Sequence, residues 1–198
     1  MRKEIITTNF AQFIRLPEKI TVEKETFSDD DIKKLKESKD DAAKIILMLI
    51  YTGMRIGELF NMTTDNVHKT YCIGGSKSIA GKNRVIPIVD IVRPHFEYFL
   101  NIATDESLLS GYEGNHDIKN FRERDYYPLL NSIGIKGKSP HSTRHTFASM
   151  AVKAGMNRES LQRILGHAKY STSADIYVHS DIDVLVSAAQ KLAQKKKS

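Results

Sequence analysis

The sequence predicts an α+β fold that is mainly α-helical and carries one small antiparallel β-sheet. Apolar residues recur at helical spacing from Ser28 to about Thr52, and again from about Ile91 to the end of the chain. Between Asn66 and Val89 the apolar residues instead form short runs separated by glycines, which is typical of strands joined by a turn. With 198 residues, of which 40% are hydrophobic, the chain has enough apolar material for one packed core. Wholesale disorder is therefore excluded.

In the N-terminal half, the sequence predicts three helices, each with a recognisable boundary. Ser28 precedes three aspartates, so it can cap a helix whose first turn carries the negative charge that a helix dipole favours. A second helix is predicted from about Asp40 to Thr52. Its segment AAKIILMLI is apolar nearly all round, which indicates a position central to the core. Gly53 ends that helix, and RIGELFNM predicts a short third one.

The sheet and the remaining helices follow in order. Tyr71 and Ile73 stand in one predicted strand and Val85 to Ile88 in the other, with the polar turn SKSIAGKN between them. Beyond the sheet, the helical spacing predicts helices over residues 92–104, 116–132, 140–154, 157–166, 172–179 and 182–195.

Charge and cysteine content narrow the class of protein. The formal net charge is +6, which favours a polyanionic partner such as double-stranded DNA. The single cysteine, Cys72, excludes an internal disulfide framework and fits a reducing compartment. The longest apolar run, Ile45 to Tyr51, is far shorter than the roughly 20 residues of a membrane span. We expect a cytoplasmic protein with no membrane segment.

One segment, SPHSTRHTFASMAVKAG, combines helix signals with residues suited to a phosphate. Ser139 can cap this helix and Pro140 suits its first turn. His141 and Arg144 are three residues apart and share a face. A guanidinium offers a planar fork of donors, and an imidazole can donate or transfer a proton. The ordinary alternative is a surface helix carrying two unremarkable polar residues.

Two further segments carry residues of the same kind. In LQRILGHAKYSTSADIYVHS, Gly166 ends a helix and leaves His167 at its end, and Tyr177 follows in a polar segment. A phenol needs neighbouring cations or a base to become a nucleophile, and half-buried packing is the ordinary alternative for Tyr177. In TGMRIGELF, Arg55 and Glu58 stand one helical turn apart, and a solvated ion pair is the ordinary alternative.

Together, and in this order, these segments resemble the catalytic domain of the tyrosine recombinases, the phage and transposon integrase family. TGMRIGEL resembles the first arginine box of the family, HSTRHTFAS its His-x-x-Arg box, and LGHAKYSTSADIYVH its His-then-Tyr box. The resemblance covers about residues 25–185. It implies the tyrosine recombinase catalytic-domain fold and site-specific DNA recombination through a 3′-phosphotyrosine intermediate, without metal, ATP or another cofactor.

The resemblance also implies a role for each matching residue. Arg55 and Arg144 would clamp the scissile phosphate, and Tyr177 would attack its phosphorus. His141 would act in proton transfer, His167 would hydrogen-bond the phosphate, and Glu58 would orient a phosphate-binding cation. A lysine on the turn of the small sheet would protonate the leaving 5′-oxygen. Lys77 is preferred for this role, and Lys82, five residues further along the same turn, is the alternative. Thr143 departs from the family, which commonly has leucine before the second arginine.

The expected organisation has three parts. Residues 1–27 form a linker or N-terminal arm, 28–181 the catalytic domain, and 182–198 a C-terminal helix with a basic tail. Family members usually carry a separate N-terminal DNA-binding domain, for which 27 residues are too few, so we expect a fragment of a longer integrase. The apolar stripe Val184, Leu185, Ala188 and Leu192 either folds back on its own domain or docks on a neighbour. The expectation is a monomer in solution and a tetramer on DNA, with this segment exchanged between protomers.

Two alternatives come from other classes of protein. A non-catalytic DNA-binding module explains the charge and the helices but not the joint presence of the two histidines, the arginine and the tyrosine. A metal-dependent hydrolase would use His141, His145 and His167 as ligands. Against it, an arginine lies between the first two, and no glutamate stands where a zinc protease needs one.

Overall fold

The computed structural model describes residues 25–75, 84–114, 116–166 and 179–193. The helices of these residues are α1 (Asp29–Glu37), α2 (Asp41–Thr52), α3 (Ile56–Phe60), α4 (Arg93–Ile102), α5 (Ile118–Asn120), α6 (Tyr127–Ser132), α7 (Pro140–Lys153), α8 (Arg158–Leu165) and α9 (His179–Gln190). A 3₁₀ turn spans Thr64–Asn66, and a π-helical stretch, Phe121–Tyr126, joins α5 to α6. The strands are β1 (Tyr71–Gly74) and β2 (Arg84–Pro87).

The boundaries of the first two helices follow the predicted capping residues. The Ser28 hydroxyl accepts a hydrogen bond from the Asp31 N–H at 3.1 Å, and the Asp31 carboxylate accepts one from the Ser28 N–H at 2.9 Å. This reciprocal pair is a capping box. Asp40 caps α2 through the Ala42 N–H at 2.8 Å. Gly53 ends α2 in the left-handed conformation, with φ of 66°.

Helix α2 is the centre of the core, as its nearly uniform apolar sequence predicts. Ten of its 12 residues are buried. It packs against α1, α4 and α7, so that one helix joins the N-terminal half to the C-terminal half. Phe27 is also buried, and its N–H donates to the Thr146 hydroxyl on α7 at 2.8 Å. The residues just before α1 are therefore fixed to the same core.

The predicted sheet is confirmed as an antiparallel pair. β1 pairs with β2 in a register that sets Cys72 opposite Ile86 and Gly74 opposite Arg84. Every residue of β2 is buried, and the strand packs against α8 and α9. β2 thus begins inside the domain, directly after the connection that bears Lys77 and Lys82, two residues outside the described part of the chain.

Two predicted helices differ from the structure. The helix predicted over 116–132 begins at Ile118 and widens into π-helical geometry before α6. Pro128 explains this change, because proline has no N–H to donate and its ring would collide with the carbonyl four residues earlier in a regular α-helix. The helix predicted over 182–195 instead spans His179–Gln190. Residues 172–178 of the other predicted C-terminal helix lie outside the described part, and the remaining residue, His179, begins α9.

None of the described helices is both long enough and apolar enough to cross a membrane.

Candidate active site

Arg144 is the buried centre of the candidate site. It lies on the first turns of α7 and is only 5% exposed. One terminal nitrogen, Nη1, donates to the Gly53 carbonyl at 2.8 Å, and Nη2 donates to the Leu165 carbonyl. These carbonyls stand at the C-terminal ends of α2 and α8, where a helix leaves carbonyls without intrahelical partners and attracts positive charge. Arg144 is therefore a cation that two helix ends hold in place.

His141 and Arg55 border the same cleft as Arg144. The cleft has a volume of about 460 Å³, and the first residues of α3 and α7 line it. Arg55 immediately precedes α3, and its side chain is 42% exposed, so it can reach a ligand in the cleft. His141 is exposed one turn before Arg144, on the face that the helical spacing predicts. The structure thus brings together two arginines and a histidine, with Arg55 distant in sequence from the other two.

Glu58 holds Arg55 in two ways. Its Oε2 accepts the backbone N–H of Arg55 at 2.8 Å, and its Oε1 accepts Nη1 of the Arg55 guanidinium at 3.1 Å. The ion pair offered as the ordinary alternative is present, but the Glu58 side chain is only 3% exposed, so its carboxylate does not lie on a solvated face. A buried carboxylate that binds both the backbone and the side chain fixes the direction in which Arg55 enters the cleft.

Arg84, the first residue of β2, completes this cluster and was not predicted as a site residue. Its Nη1 and Nη2 donate to Oε1 and Oε2 of Glu58 at 2.7 and 2.6 Å, a bidentate ion pair. Its Nε donates to the Ile164 carbonyl of α8 at 2.8 Å. The available signal was an arginine at the start of the apolar run RVIPI, which predicts a buried strand and therefore a buried, paired charge.

The charges of this cluster of Arg55, Glu58, Arg84 and Arg144 act on one another. Burial, and after it the charges of Arg55 and Arg84, lower the pKa of Arg144 to about 10, while Glu58 opposes the change. Burial alone would raise the pKa of Glu58, but the hydrogen bonds and charge of Arg84 and the Arg55 backbone N–H hold that pKa below its usual value. Three guanidinium groups and one carboxylate give the cluster a formal charge of +2, which suits an anion.

The structure describes only some of the remaining residues that the sequence singled out. Lys77, Lys82, His167 and Tyr177 lie outside the described residues, and their roles stay predictions. Thr143, which stands where leucine is usual, is fully buried, and its hydroxyl donates to the Pro140 carbonyl at 2.7 Å. The threonine therefore leaves no unpaired polar group in the core. His141 and His145 pack edge to face, with ring centroids 4.6 Å apart.

Comparison with protein families identifies the class of protein. The model of the phage integrase family matches residues 25–183, most of the chain. The chain belongs to this family, and the recognition of a tyrosine recombinase catalytic domain from the three sequence boxes is confirmed.

Curated relatives include Xer recombinases. The chain is 31% identical to the tyrosine recombinase XerA of Pyrococcus horikoshii over 158 residues, covering 75% of this chain and 54% of the relative. It is also 31% identical to the tyrosine recombinase XerC of Herpetosiphon aurantiacus over 153 residues, covering 71% of this chain and 48% of the relative. The chain thus spans about half the length of the curated relatives it matches.

Solved structures confirm the predicted fold. The crystal structure of XerA recombinase matches with a TM-score of 0.61 at 24% identity, covering 87% of this chain and 61% of that one. The integrase of mycobacterium phage Brujita matches with a TM-score of 0.67 at 16% identity, over 91% of this chain and 62% of that one. A lambda integrase tetramer bound to a Holliday junction matches with a TM-score of 0.58 at 18% identity, covering 86% of this chain and 55% of that one.

Proposed function

We propose that this chain cleaves and rejoins DNA as the catalytic part of a site-specific recombinase. The observation that carries the proposal is the cleft between α3 and α7, where Arg55, His141 and the buried Arg144 meet. A phosphodiester carries one negative charge, and more charge develops on its oxygens as a fifth oxygen approaches the phosphorus. Preorganised guanidinium groups stabilise that charge most when they are already held in place, as Arg144 is.

The proposed reaction exchanges one phosphate ester for another. The Tyr177 hydroxyl attacks the phosphorus, so that an O–P bond to tyrosine forms while the bond from phosphorus to the 5′-oxygen breaks. His141 takes part in transfer of the phenol proton, and Lys77, or alternatively Lys82, gives a proton to the 5′-oxygen. His167 donates a hydrogen bond to a phosphate oxygen. The reverse reaction with a 5′-hydroxyl of another strand joins the new product, because the tyrosine ester conserves the energy of the broken bond.

Relatives support double-stranded DNA as the partner. The named relatives are tyrosine recombinases, and one structural neighbour is an integrase tetramer bound to a Holliday junction. The net charge of +6 is consistent with a polyanionic partner. We place the activity in the cytoplasm, where a lone cysteine stays reduced.

The decisive test is covalent trapping on nicked duplex DNA in the presence of EDTA. The substrate is a pool of candidate sequences with a nick just beyond the scissile phosphate, so that the short 5′-hydroxyl strand diffuses away and religation stops. We expect wild type to give a denaturation-resistant protein–DNA adduct and Tyr177→Phe to give none, because phenylalanine lacks the attacking oxygen. Gel electrophoresis in detergent measures the adduct.

Tyr170→Phe is the matched control, since it removes a hydroxyl from the same segment and leaves Tyr177 in place. An adduct from Tyr177→Phe would show that another residue is the nucleophile. DNA binding by wild type without any adduct would favour the non-catalytic DNA-binding module. Loss of the adduct in EDTA would favour a metal-dependent reaction.

We further propose that α9 is exchanged between protomers on DNA, although it packs on its own chain in the structure. Leu185 and Ala189 are buried where α9 meets β2 and α8, while Val184 is 54% exposed. Gln190 closes the contact through hydrogen bonds with Asp90. A groove that accepts α9 of its own chain also accepts the identical helix of a neighbour, which is the principle of domain swapping.

Deletion of residues 182–198 is therefore expected to weaken assembly on DNA at least tenfold, as measured by native gel shifts of multimeric complexes. We expect the truncated chain to keep its helical circular dichroism, since the core around α2 is retained. Deletion of residues 194–198 alone is the control, because it removes the basic tail and spares α9. A truncated chain that unfolds would instead make α9 an integral part of its own domain.

A further inference from the structure

Arg84 differs from the other arginines of the cluster in how many of its guanidinium nitrogens bind the protein itself. All three of its nitrogens donate hydrogen bonds to protein atoms, two to Glu58 and one to the Ile164 carbonyl. Its side chain is only 3% exposed. Arg84 therefore does not itself contact a ligand in the cleft, whereas Arg55, with 42% of its side chain exposed, can do so.

The partners of Arg84 are the groups that orient the two cleft arginines. Glu58 binds the backbone and the guanidinium of Arg55. Ile164 is followed directly by Leu165, whose carbonyl accepts a hydrogen bond from Arg144. Through one side chain, Arg84 thus joins the start of α3 to the end of α8, two segments more than 100 residues apart in sequence.

Arg84 also lies at the start of β2, directly after the connection that carries Lys77 and Lys82. Its side chain fixes the point at which that connection enters the domain. The end of α8, which it also binds, is followed by Gly166 and then by the segment that bears His167.

We propose that Arg84 is a positioning residue for DNA cleavage, which holds Arg55 in its phosphate-binding direction through Glu58 and fixes the end of α8 beside Arg144. This inference rests on the proposed function. Only arginine can make these three contacts, because its planar fork binds both carboxylate oxygens of Glu58 while Nε binds the Ile164 carbonyl. A lysine ammonium is a point charge without that fork. A displacement of about 1 Å in a group that orients a reacting phosphate can lower a rate about 100-fold.

The test compares Arg84→Met, Glu58→Gln and the double variant with wild type in single-turnover cleavage at saturating nicked DNA. The single variants are expected to lower the rate constant of adduct formation about 100-fold and to change the Kd for DNA less than threefold. The double variant should be no slower than the slower single variant, since both act through the same contact. Arg93→Met is the matched control, because it removes an arginine from another ion pair with a carboxylate, that with Asp90.

A second measurement does not require cleavage. Side-chain N–H signals of Arg55 and Arg144 are followed by NMR during titration with inorganic phosphate. In Arg84→Met the affinity for phosphate should fall about tenfold, and in Arg93→Met it should be unchanged. Arg84→Lys should resemble Arg84→Met in both measurements.

The outcomes separate the inference from the function on which it rests. If wild type forms the adduct and Arg84→Met forms it at the same rate constant, the positioning role is wrong. If the losses of Arg84→Met and Glu58→Gln multiply in the double variant, Arg84 does not act through Glu58 and the inference is likewise overturned. If the variants lower only the amount of active protein and leave the rate constant and phosphate affinity unchanged, Arg84 is merely structural. If wild type neither forms the adduct nor responds to phosphate, the proposed function fails and the role of Arg84 fails with it.

Discussion

Replacing Arg144 with alanine is expected to slow formation of the protein–DNA adduct by about 100- to 1,000-fold, because one preorganised donor in a buried site contributes on this scale. The variant loses a cation that is 5% exposed and that the carbonyls of Gly53 and Leu165 hold in place. The pKa of Arg144, about 10, keeps its guanidinium charged across the neutral range, so the loss of rate in the variant should be the same from pH 6 to pH 8. Single-turnover trapping on nicked DNA measures the effect.

Arg144→Lys is expected to recover little of the lost rate. Lysine keeps the charge, but one ammonium cannot bind two helix ends and present a planar pair of donors to a phosphate. Arg158→Ala is the matched control, since it removes an exposed arginine from the first turn of α8. A rate for Arg144→Ala within tenfold of wild type, with Arg158→Ala unchanged, would remove Arg144 from the proposed mechanism.

Replacing Gly53 with alanine should produce the largest loss of stability. Its φ of 66° lies in the left-handed region, which costs an L-residue about 1–2 kcal/mol. An added Cβ would also lie 2.5 Å from Cδ1 of Phe147, a ring that is only 1% exposed and has little room to move. Overpacking of this kind costs about 1–3 kcal/mol, so we expect the free energy of unfolding to fall by about 2–5 kcal/mol in total.

Gly134→Ala separates the two contributions. Gly134 has a similar φ of 76°, but an added Cβ meets no atom within 4 Å, so only the backbone cost of about 1–2 kcal/mol should remain. Urea unfolding followed by far-ultraviolet circular dichroism measures both variants. Equal losses in the two variants would show that Phe147 moves aside freely and that the contact at Gly53 carries no penalty.

Local signals in the sequence were sufficient for most of the fold. Ser28, Asp40 and Gly53 mark helix ends through their own side-chain or backbone chemistry, and the apolar run of α2 identifies the central helix. The π-helical stretch before α6 was not predicted, because its cause, Pro128, lies inside a segment whose apolar spacing is otherwise regular. Periodicity reports which face is buried and does not report a local change of helix geometry.

The site was less predictable than the fold. Arg55, His141 and Arg144 are recognisable from their sequence boxes, but their proximity depends on packing between α2 and α7. Arg84 was missed because its partners, Glu58 and Ile164, are 26 and 80 residues away, and no local pattern pairs them. Gly53 was identified as a helix end, whereas its use as an acceptor for Arg144 follows only from the tertiary structure.

The two carbonyls that hold Arg144 have a consequence for a chain that is still being synthesised. The acceptor at Gly53 exists as soon as α2 has formed, but the acceptor at Leu165 exists only once α8 has been made and has docked. Until then Arg144 lacks its second anchor. Under the proposed function, the site therefore reaches its DNA-cleaving geometry only after α8 has been made and has docked.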